Sequence, residues 1–480
     1  MQPKKLKLPT LRKIDPNKPK KKKILCLSDD LRMHSGIATQ TKEFVFGTIH
    51  KYDWVQIGGA IKHPEEGKIF DVSESVKQDT GIGDASLKIY PVSGYGNPHL
   101  LREIMAIEKP DAIIHFTDPR FWIWLYQMEH ELRQNIPILY YNIWDDLPDP
   151  KYNRDYYRSS DMLMSISKQT YGINKRILSE YNYEDWQLDY VPHGVSGKRF
   201  HQVKKDDEHF VNFERKYGLD KYKFKILFLN RNIRRKNPGD VALAYKHMMD
   251  KLTPEQRKEC VFVWQAAVSD ENGTDMRALC QTLLPDYPVI FTHDISGPLN
   301  DVEMNFIYNS ADVYINLASN EGFGLGSLEA LTVGTPIVVN VTGGLQDQCG
   351  FMDSDPTGGA FRYLDAEDYV ELGSNHRGEY TTHGCWVKPV FPSNISCCGS
   401  PMTPYIFDDR CRYEDAGDAL LEWYNAGPEE RERCGQVGKK WVHSDDARMT
   451  TKHMSDSFIK NIEATFENWK PRAKYTMEVV

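Results

Sequence analysis

A chain of 480 residues is too long for one ordinary core and fits two domains facing a cleft. With 40% hydrophobic and 27% charged residues it reads as a globular protein, and no uncharged apolar run reaches the roughly 18 residues of a membrane span, so a bilayer-crossing protein is not expected. The formal charge of -8 is uneven: residues 1–23 hold ten Lys or Arg against one Asp, leaving -17 for the remainder, an acidic body unsuited to wrapping nucleic acid.

The arm 1–23 reads by composition as a disordered segment, with contact to phosphates or anionic lipid as the second reading. No apolar signal-peptide core follows its basic residues, so the expectation is a cytoplasmic protein. After it, "KILCLSDD" (Lys23 to Asp30) is a short apolar run, followed by a loop with Gly36 and a helix. "PDAIIHFTD" (Pro110 to Asp118) and "IPILYYNIWDD" (Ile136 to Asp146) read as buried strands, with "LLREIMAIE" and "RFWIWLYQMEHELRQN" as helical stretches. Alternating strands and helices imply a parallel sheet covered on both faces, whose ligands lie beyond the carboxyl ends of the strands. His115, Asp118, Asp145 and Asp146 would sit there. The stripe Trp122, Trp124 and Tyr126 reads as core, with stacking on an acceptor ring as the lesser alternative.

The polar stretch "KRFHQVKKDDEHFVNFERKYGLDKY" reads as a linker, and "KFKILFLNRN" (Lys223 to Asn232) begins a second alternating series continued by "CVFVWQA", "PVIFTHD", "ADVYINLA" and "TPIVVNV". The expected division is an N-terminal doubly wound domain over 24–205, a C-terminal one over 206–445 with a long irregular insertion at 350–409, and a C-terminal crossing helix and tail over 446–480. Met449, Met454, Phe458, Ile462, Phe466 and Trp469 recur at helical spacing before Pro471.

Within "ADVYINLASNEGFGLGSLEALTVG" a strand, a glycine loop and a helix amino terminus follow one another, which makes an anion site because free backbone N–H groups and the helix dipole point at one spot. A diphosphate is the natural guest. A nicotinamide dinucleotide fingerprint would need Gly or Ala where Ser327 stands and an acidic ribose ligand after the next strand, and neither is present. Countercharge comes from "NRNIRRKNP", in which Arg231 and Lys236 lie five apart across a turn.

Together these residues resemble the retaining glycosyltransferases of the GT-B fold, in particular the large family 4 group (glycosyl transferases group 1). The resemblance rests on "SADVYINLASNEGFGLGSLEALTVGTPIVVNVTGG", with Glu321 and Glu329 eight residues apart and the pair Gly343 and Gly344. Further matches follow in the family's order: the loop with Gly36, "SSDMLMSISKQT" with Ser167, "VPHGVSGKRF", "LNRNIRRK" and "VIFTHDISGPLNDVEMNFIYNSADV". It covers about residues 24–470 and is strongest over 225–345. The resemblance implies two Rossmann-like domains, a final helix returning to the N-terminal one, and a nucleoside-diphosphate sugar donor, uridine-linked. Arg231 and Lys236 would bind the diphosphate, and Gly322, Phe323, Gly324 and Leu325 would approach sugar and phosphate through their backbone. Glu321 would hold donor-sugar hydroxyls, Glu329 the ribose hydroxyls, and the loop around His293 and Asp294 the base, while Gly36 touches the diphosphate from the other domain. Anomeric configuration would be kept by front-face attack, the leaving phosphate taking the acceptor's proton.

One position departs from the pattern: many relatives end the strand matched by "ILYYNIWDD" in a His, where Trp144, Asp145 and Asp146 stand here. Asp145, His115 and Asp118 are therefore candidates for contact with the sugar or the acceptor hydroxyl, with a structural histidine as the alternative for His115. The acceptor is a saccharide, a small molecule or a hydroxylated DNA base, the last suggested by the basic arm. A nucleotide-sugar epimerase or a sugar phosphorylase would use the same fold. No metal is expected: "DSD" (Asp353 to Asp355) reads as part of a turn, and Cys349, Cys385, Cys397, Cys398 and Cys411 follow no zinc spacing.

Overall fold

The computed structural model describes residues 20–354 and 361–473. The arm 1–19 and the end of the "DSD" stretch lie outside the described residues, while Lys22 and Lys23 already belong to the first strand. The first sheet is built from β1 (Lys22–Asp29), β2 (Tyr52–Ala60), β3 (Phe70–Asp71), β4 (Leu87–Ser93), β5 (Ala112–Phe116), β6 (Ile138–Asn142), β7 (Met162–Ser165) and β8 (Leu188–Tyr190), in the order β3-β4-β2-β1-β5-β6-β7-β8. All neighbours pair in parallel except β3 with β4. Such strands are buried on both faces, which is why β1, β5 and β6 are legible as unbroken apolar runs. β2 is not, because Gln56 interrupts it; its amide is nevertheless buried, donating to Ser28 Oγ at 2.8 Å and accepting from the Leu31 N–H at 3.2 Å.

The second sheet comprises β9 (Phe224–Leu229), β10 (Cys260–Gln265), β11 (Val289–Phe291), β12 (Val313–Asn316), β13 (Ile337–Asn340) and β16 (Val387–Val390), all parallel, in the order β11-β10-β9-β12-β13-β16. In both sheets the winding direction reverses at the first strand, β1 in one and β9 in the other. A crevice therefore opens beyond the carboxyl ends of β1 and β9.

Three expectations are corrected by the structure. The polar stretch before β9 is not a bare linker: the helix Glu208–Tyr217, capped by Asp207, buries Phe210, Phe213 and Tyr217. Residues 350–409 are not irregular either, since they supply the pair β14 (Met352–Ser354) and β15 (Phe361–Tyr363), the strand β16 and a hairpin, β17 (Asn394–Ser400) with β18 (Thr403–Arg410). The aromatic stretch after Asp118 is broken into the 3-10 turn Pro119–Trp122 and two short helices, Ile123–Gln127 and Glu129–Leu132, with Trp122 and Tyr126 in the core.

A helix over Tyr413–Val442, interrupted at Gly427 ahead of Pro428, backs the second sheet. From there the chain crosses back, and the helix Thr451–Asn468 packs on the helix Gly36–Thr48 of the first domain. The Phe44 and Phe458 rings stack at 4.3 Å, and the Tyr52 hydroxyl donates to Glu463 at 2.6 Å. Burying a side chain of that kind contributes roughly 1.5–3 kcal/mol, so this face ties the terminus to the first domain.

Candidate functional site

The basic turn after β9 ends in Asn237, which adopts a left-handed conformation (φ 47) that Asn tolerates better than most residues. Its side-chain amide donates to the Leu317 carbonyl at 2.9 Å, while Ser319 N–H donates to the Arg235 carbonyl at 2.8 Å. These two bonds zip the basic turn to the loop after β12. Lys236 is thereby buried and forms an ion pair with Glu321, itself nearly buried. Arg235 joins them, donating to the Asn320 carbonyl at 2.5 Å and to Glu321 at 3.3 Å. Burial alone would raise the Glu321 carboxyl, but the Lys236 ammonium and Arg235 guanidinium outweigh it and hold the group below its ordinary value. Burial lowers Lys236.

The glycines of the loop have steric reasons. Gly324 caps the helix Leu325–Val333 at φ 89 and brings no side chain to the cap, which leaves the first N–H groups of the helix for a ligand. A Cβ on Gly343 would lie 2.1 Å from the Glu321 carbonyl, and one on Gly344 2.3 Å from that of Gly322, so this pair clamps the loop backbone-to-backbone. A Cβ on Gly326 would lie 2.4 Å from the Tyr314 hydroxyl. Phe323 turns its ring inward against His193 at 5.1 Å, and its side chain joins the two domains.

Across the crevice, Gly36 is the first residue of its helix, and a Cβ there would sit 3.4 Å from Leu325 Cδ1. Two helix amino termini thus meet, one from each domain. Glu329, further along the second helix, accepts from the Tyr308 hydroxyl at 2.6 Å, and burial pushes its carboxyl up to about 7. A cavity of about 830 Å³ opens near this end, lined by Arg32, His34, Lys42, Arg199 and Lys204 among others.

At the end of β6, Asp146 accepts from the Asn320 side chain, and the Asp145 carbonyl accepts from Gln169 at 2.8 Å. Burial, and then the charge of Asp145, push the Asp146 carboxyl well above its ordinary value; burial also raises Asp145, with Arg235 opposing. The two adjacent acids thus resist ionising together. Asp118 accepts from the N–H and guanidinium of Arg120, and both line a cavity of about 600 Å³ together with Asp145, Asp146, Arg234, Arg235 and the hairpin β17–β18.

Other expected site residues stand apart. Arg231 is largely exposed and pairs with Asp270 at 3.1 Å. His293 and Asp294 lie on a short helix, Thr292–Ser296, instead of a loop, and Asp294 pairs with Arg277. His115 is fully enclosed within the first domain: Nδ1 lies 2.7 Å from the Tyr126 hydroxyl, the ring stacks on Tyr140 at 5.0 Å, and burial lowers it to about 3, so it is a neutral interior group that does not line the cavity. Sequence reasoning did not single out Arg235, Asn320, Arg120 or the hairpin; "RRK" and "SNE" place the first two beside their known partners, but nothing marks the others. Asp353 and Ser354 lie in β14. All nine cysteines are free thiols, and among the described residues no group of three or more His, Cys, Asp or Glu is arranged to hold a metal ion. No helix among the described residues is long and apolar enough to cross a membrane.

Two nucleotide-binding-type sheets, a glycine loop opening a helix and a returning C-terminal helix define a GT-B fold. Sucrose-phosphate synthase from Thermosynechococcus elongatus superposes over 93% of this chain and 100% of its own with a TM-score of 0.64 at 13% identity. An Anabaena protein solved in complex with UDP and glucose covers 92% of this chain and 100% of its own with a TM-score of 0.58 at 10% identity. The family model described as "Glycosyl transferases group 1" matches residues 210–351, within the second of the two GT-B domains. An uncharacterized glycosyltransferase of Methanocaldococcus jannaschii is 26% identical over 39% of this chain and 44% of its own length. A D-inositol 3-phosphate glycosyltransferase of Arthrobacter is 27% identical over 41% of this chain and 44% of its own length. The chain thus spans less than half the length of the curated relatives it matches.

Proposed function

We propose that the protein is a retaining glycosyltransferase that moves a sugar from a uridine-linked nucleoside-diphosphate sugar to an acceptor hydroxyl. The observation that carries this reading is the meeting of two helix amino termini, at Gly36 and Leu325, beside the buried Lys236–Glu321 pair. Breaking a bond between sugar and phosphate requires stabilising the departing diphosphate, and preorganised N–H groups with a buried cation do that without reorganisation. Lys236 supplies the fixed charge. Arg231 is the second cation: its pair with Asp270 is exposed, and a pair of that kind is worth about 0–1 kcal/mol, so recruiting it to a diphosphate costs little.

In this reading Glu321 accepts hydrogen bonds from the donor-sugar hydroxyls, Gly322 to Leu325 approach through their backbone, Glu329 takes the ribose hydroxyls in exchange for Tyr308, and His293 and Asp294 flank the base. Asp145 and Asp118 contact the sugar or acceptor, and the acceptor's proton passes to the departing phosphate. The uridine assignment is supported by the UDP and glucose in the Anabaena neighbour and by an Escherichia coli neighbour bound with UDP-2-fluoro glucose. The countercharge comes from side chains, so transfer should proceed in EDTA. Nothing among the described residues favours a DNA-base acceptor, an epimerase or a phosphorylase.

The test is to incubate the pure protein with UDP-sugars and hydroxylated acceptors, reading nucleotide release and, by proton NMR, the anomeric configuration of the product. Lys236→Ala and Glu321→Ala should each abolish transfer while the far-UV circular dichroism is retained; full turnover by either variant would sink the reading. Interconversion of the donor sugar without acceptor would identify an epimerase instead.

A further inference from the structure

The cavity of about 600 Å³ beside the Lys236–Glu321 pair falls within the range of small-ligand pockets, and one of its walls is the hairpin β17–β18. That wall is anchored on the first domain. Phe407 N–H donates to the Leu147 carbonyl at 2.5 Å, the Tyr152 hydroxyl donates to the Tyr405 carbonyl at 2.9 Å, and Arg120 donates to the Thr403 hydroxyl. On the other side the Phe407 carbonyl accepts from Asn320, next to Glu321, at 2.7 Å. The hairpin therefore bridges both domains over the spot where a donor sugar held by Glu321 would be attacked.

Four arginines and four aspartates line the cavity, and three of the arginines are paired with a carboxylate. Arg120 is held by Asp118, Arg410 by Asp408 at 3.3 Å, and Arg235 by Glu321 at 3.3 Å. Arg234 lines the same cavity with no carboxylate partner among the described residues. The remaining acids, Asp145 and Asp146, are adjacent at the end of β6, and neither is ion-paired with Arg234. A planar guanidinium left unpaired on a cavity wall matches a carboxylate or phosphate by a two-point hydrogen bond, whereas the hydroxyl and carboxyl groups of Thr403, Asp118 and Asp145 match a polyol.

We infer that this cavity is the acceptor pocket and that the acceptor is a hydroxylated small molecule bearing a phosphate or carboxylate group, gripped by Arg234 and covered by the hairpin. The assignment rests on the glycosyltransferase reading above, and its test separates the two. Glucose, glucose 6-phosphate and glucuronate serve as probes, titrated calorimetrically into the full-length protein with and without saturating UDP. At least one charged probe should bind about tenfold or more tighter than glucose, as expected for one charge-assisted fork. Arg234→Ala should erase that preference and Arg234→Lys keep part of it, with UDP affinity unchanged in both. Preference for glucose 6-phosphate over glucuronate identifies a phosphate ester, and the reverse a uronic acid. Equal or undetectable binding of all three probes overturns the inference, as does a weakening of UDP in Arg234→Ala with the probe preference intact, which would place Arg234 on the donor diphosphate. Failure of UDP itself to bind removes the donor reading, while the probe ranking still decides the pocket.

Discussion

Replacing Lys236 with Met keeps an unbranched side chain one heavy atom shorter and removes the ammonium that faces Glu321. Both members of the pair are at most 12% exposed, so screening by water is weak and the loss of one partner leaves a charge with poor solvation. Breaking a buried pair costs about 3–5 kcal/mol, and Arg235 at 3.3 Å from the same carboxylate places the expectation at the lower end, about 3 kcal/mol. A cycle of Lys236→Met, Glu321→Gln and the double variant, read by urea unfolding, should give a coupling of about 2–3 kcal/mol, because the double variant no longer buries an orphan. The pH dependence provides a second signature. In the wild type Glu321 lies below its ordinary value of 4.5, so its contribution is present above that pH and is lost only as pH falls through the lower folded value. In Lys236→Met burial dominates and the carboxyl rises, so the variant loses stability as pH climbs from 4.5 towards neutrality while the wild type does not. The gap between them should therefore narrow on acidification from pH 7 to pH 5. A coupling under about 0.5 kcal/mol, or a gap independent of pH, would refute the claim that the pair is desolvated.

Glu329, pushed up to about 7, opposes folding increasingly as pH rises from 4.5 through that value, so Glu329→Gln should gain about 1–3 kcal/mol at pH 8 and nothing at pH 4, by urea midpoints, while weakening UDP in calorimetry. Gly344→Ala would drive a methyl against the Gly322 carbonyl and should lower kcat at least tenfold, an effect worth about 1.4 kcal/mol, whereas Gly197→Ala, with open space around it, should leave turnover unchanged. His115→Phe should retain transfer within about twofold, under 0.5 kcal/mol, because the imidazole is neutral and enclosed among Tyr126, Trp122 and Tyr140; loss of kcat with normal stability would return it to the reacting groups.

The doubly wound halves were legible because parallel strands are buried on both faces and write themselves as apolar runs, as in β1, β6 and β9. The helix Thr451–Asn468 was legible through its 3.6-residue repeat. The glycine loop was legible because its geometry admits few alternatives: Gly324 needs positive φ, and Gly343 and Gly344 lie against another backbone. The hairpin escaped notice for a physical reason. β17 and β18 are mostly partly buried or exposed, and "NISCCGSP" lacks the apolar alternation that marks a strand packed on a core. Its stability comes from cross-strand pairing and from contacts with Leu147, Tyr152 and Arg120, more than 250 residues distant in the chain. His115 misled for the opposite reason, since a strand-end histidine has the same sequence appearance whether it faces a crevice or an aromatic interior.

The same distinction explains how the site balances charge. A donor would bring a diphosphate next to a pair, Lys236–Glu321, that is already neutral overall, so additional cations must be drawn from nearby. Arg235 is engaged by Asn320 and Glu321, whereas Arg231 is exposed and, among the described residues, paired with Asp270. In the proposed reading the buried pair fixes position, and the exposed arginine adjusts charge. Across the crevice burial and mutual repulsion raise the adjacent Asp145 and Asp146, which limits their repulsion against an incoming phosphate. On the proposed reading, a site assembled in this way holds a donor in one orientation and supplies no nucleophile of its own, so the acceptor's proton is left to the donor's phosphate.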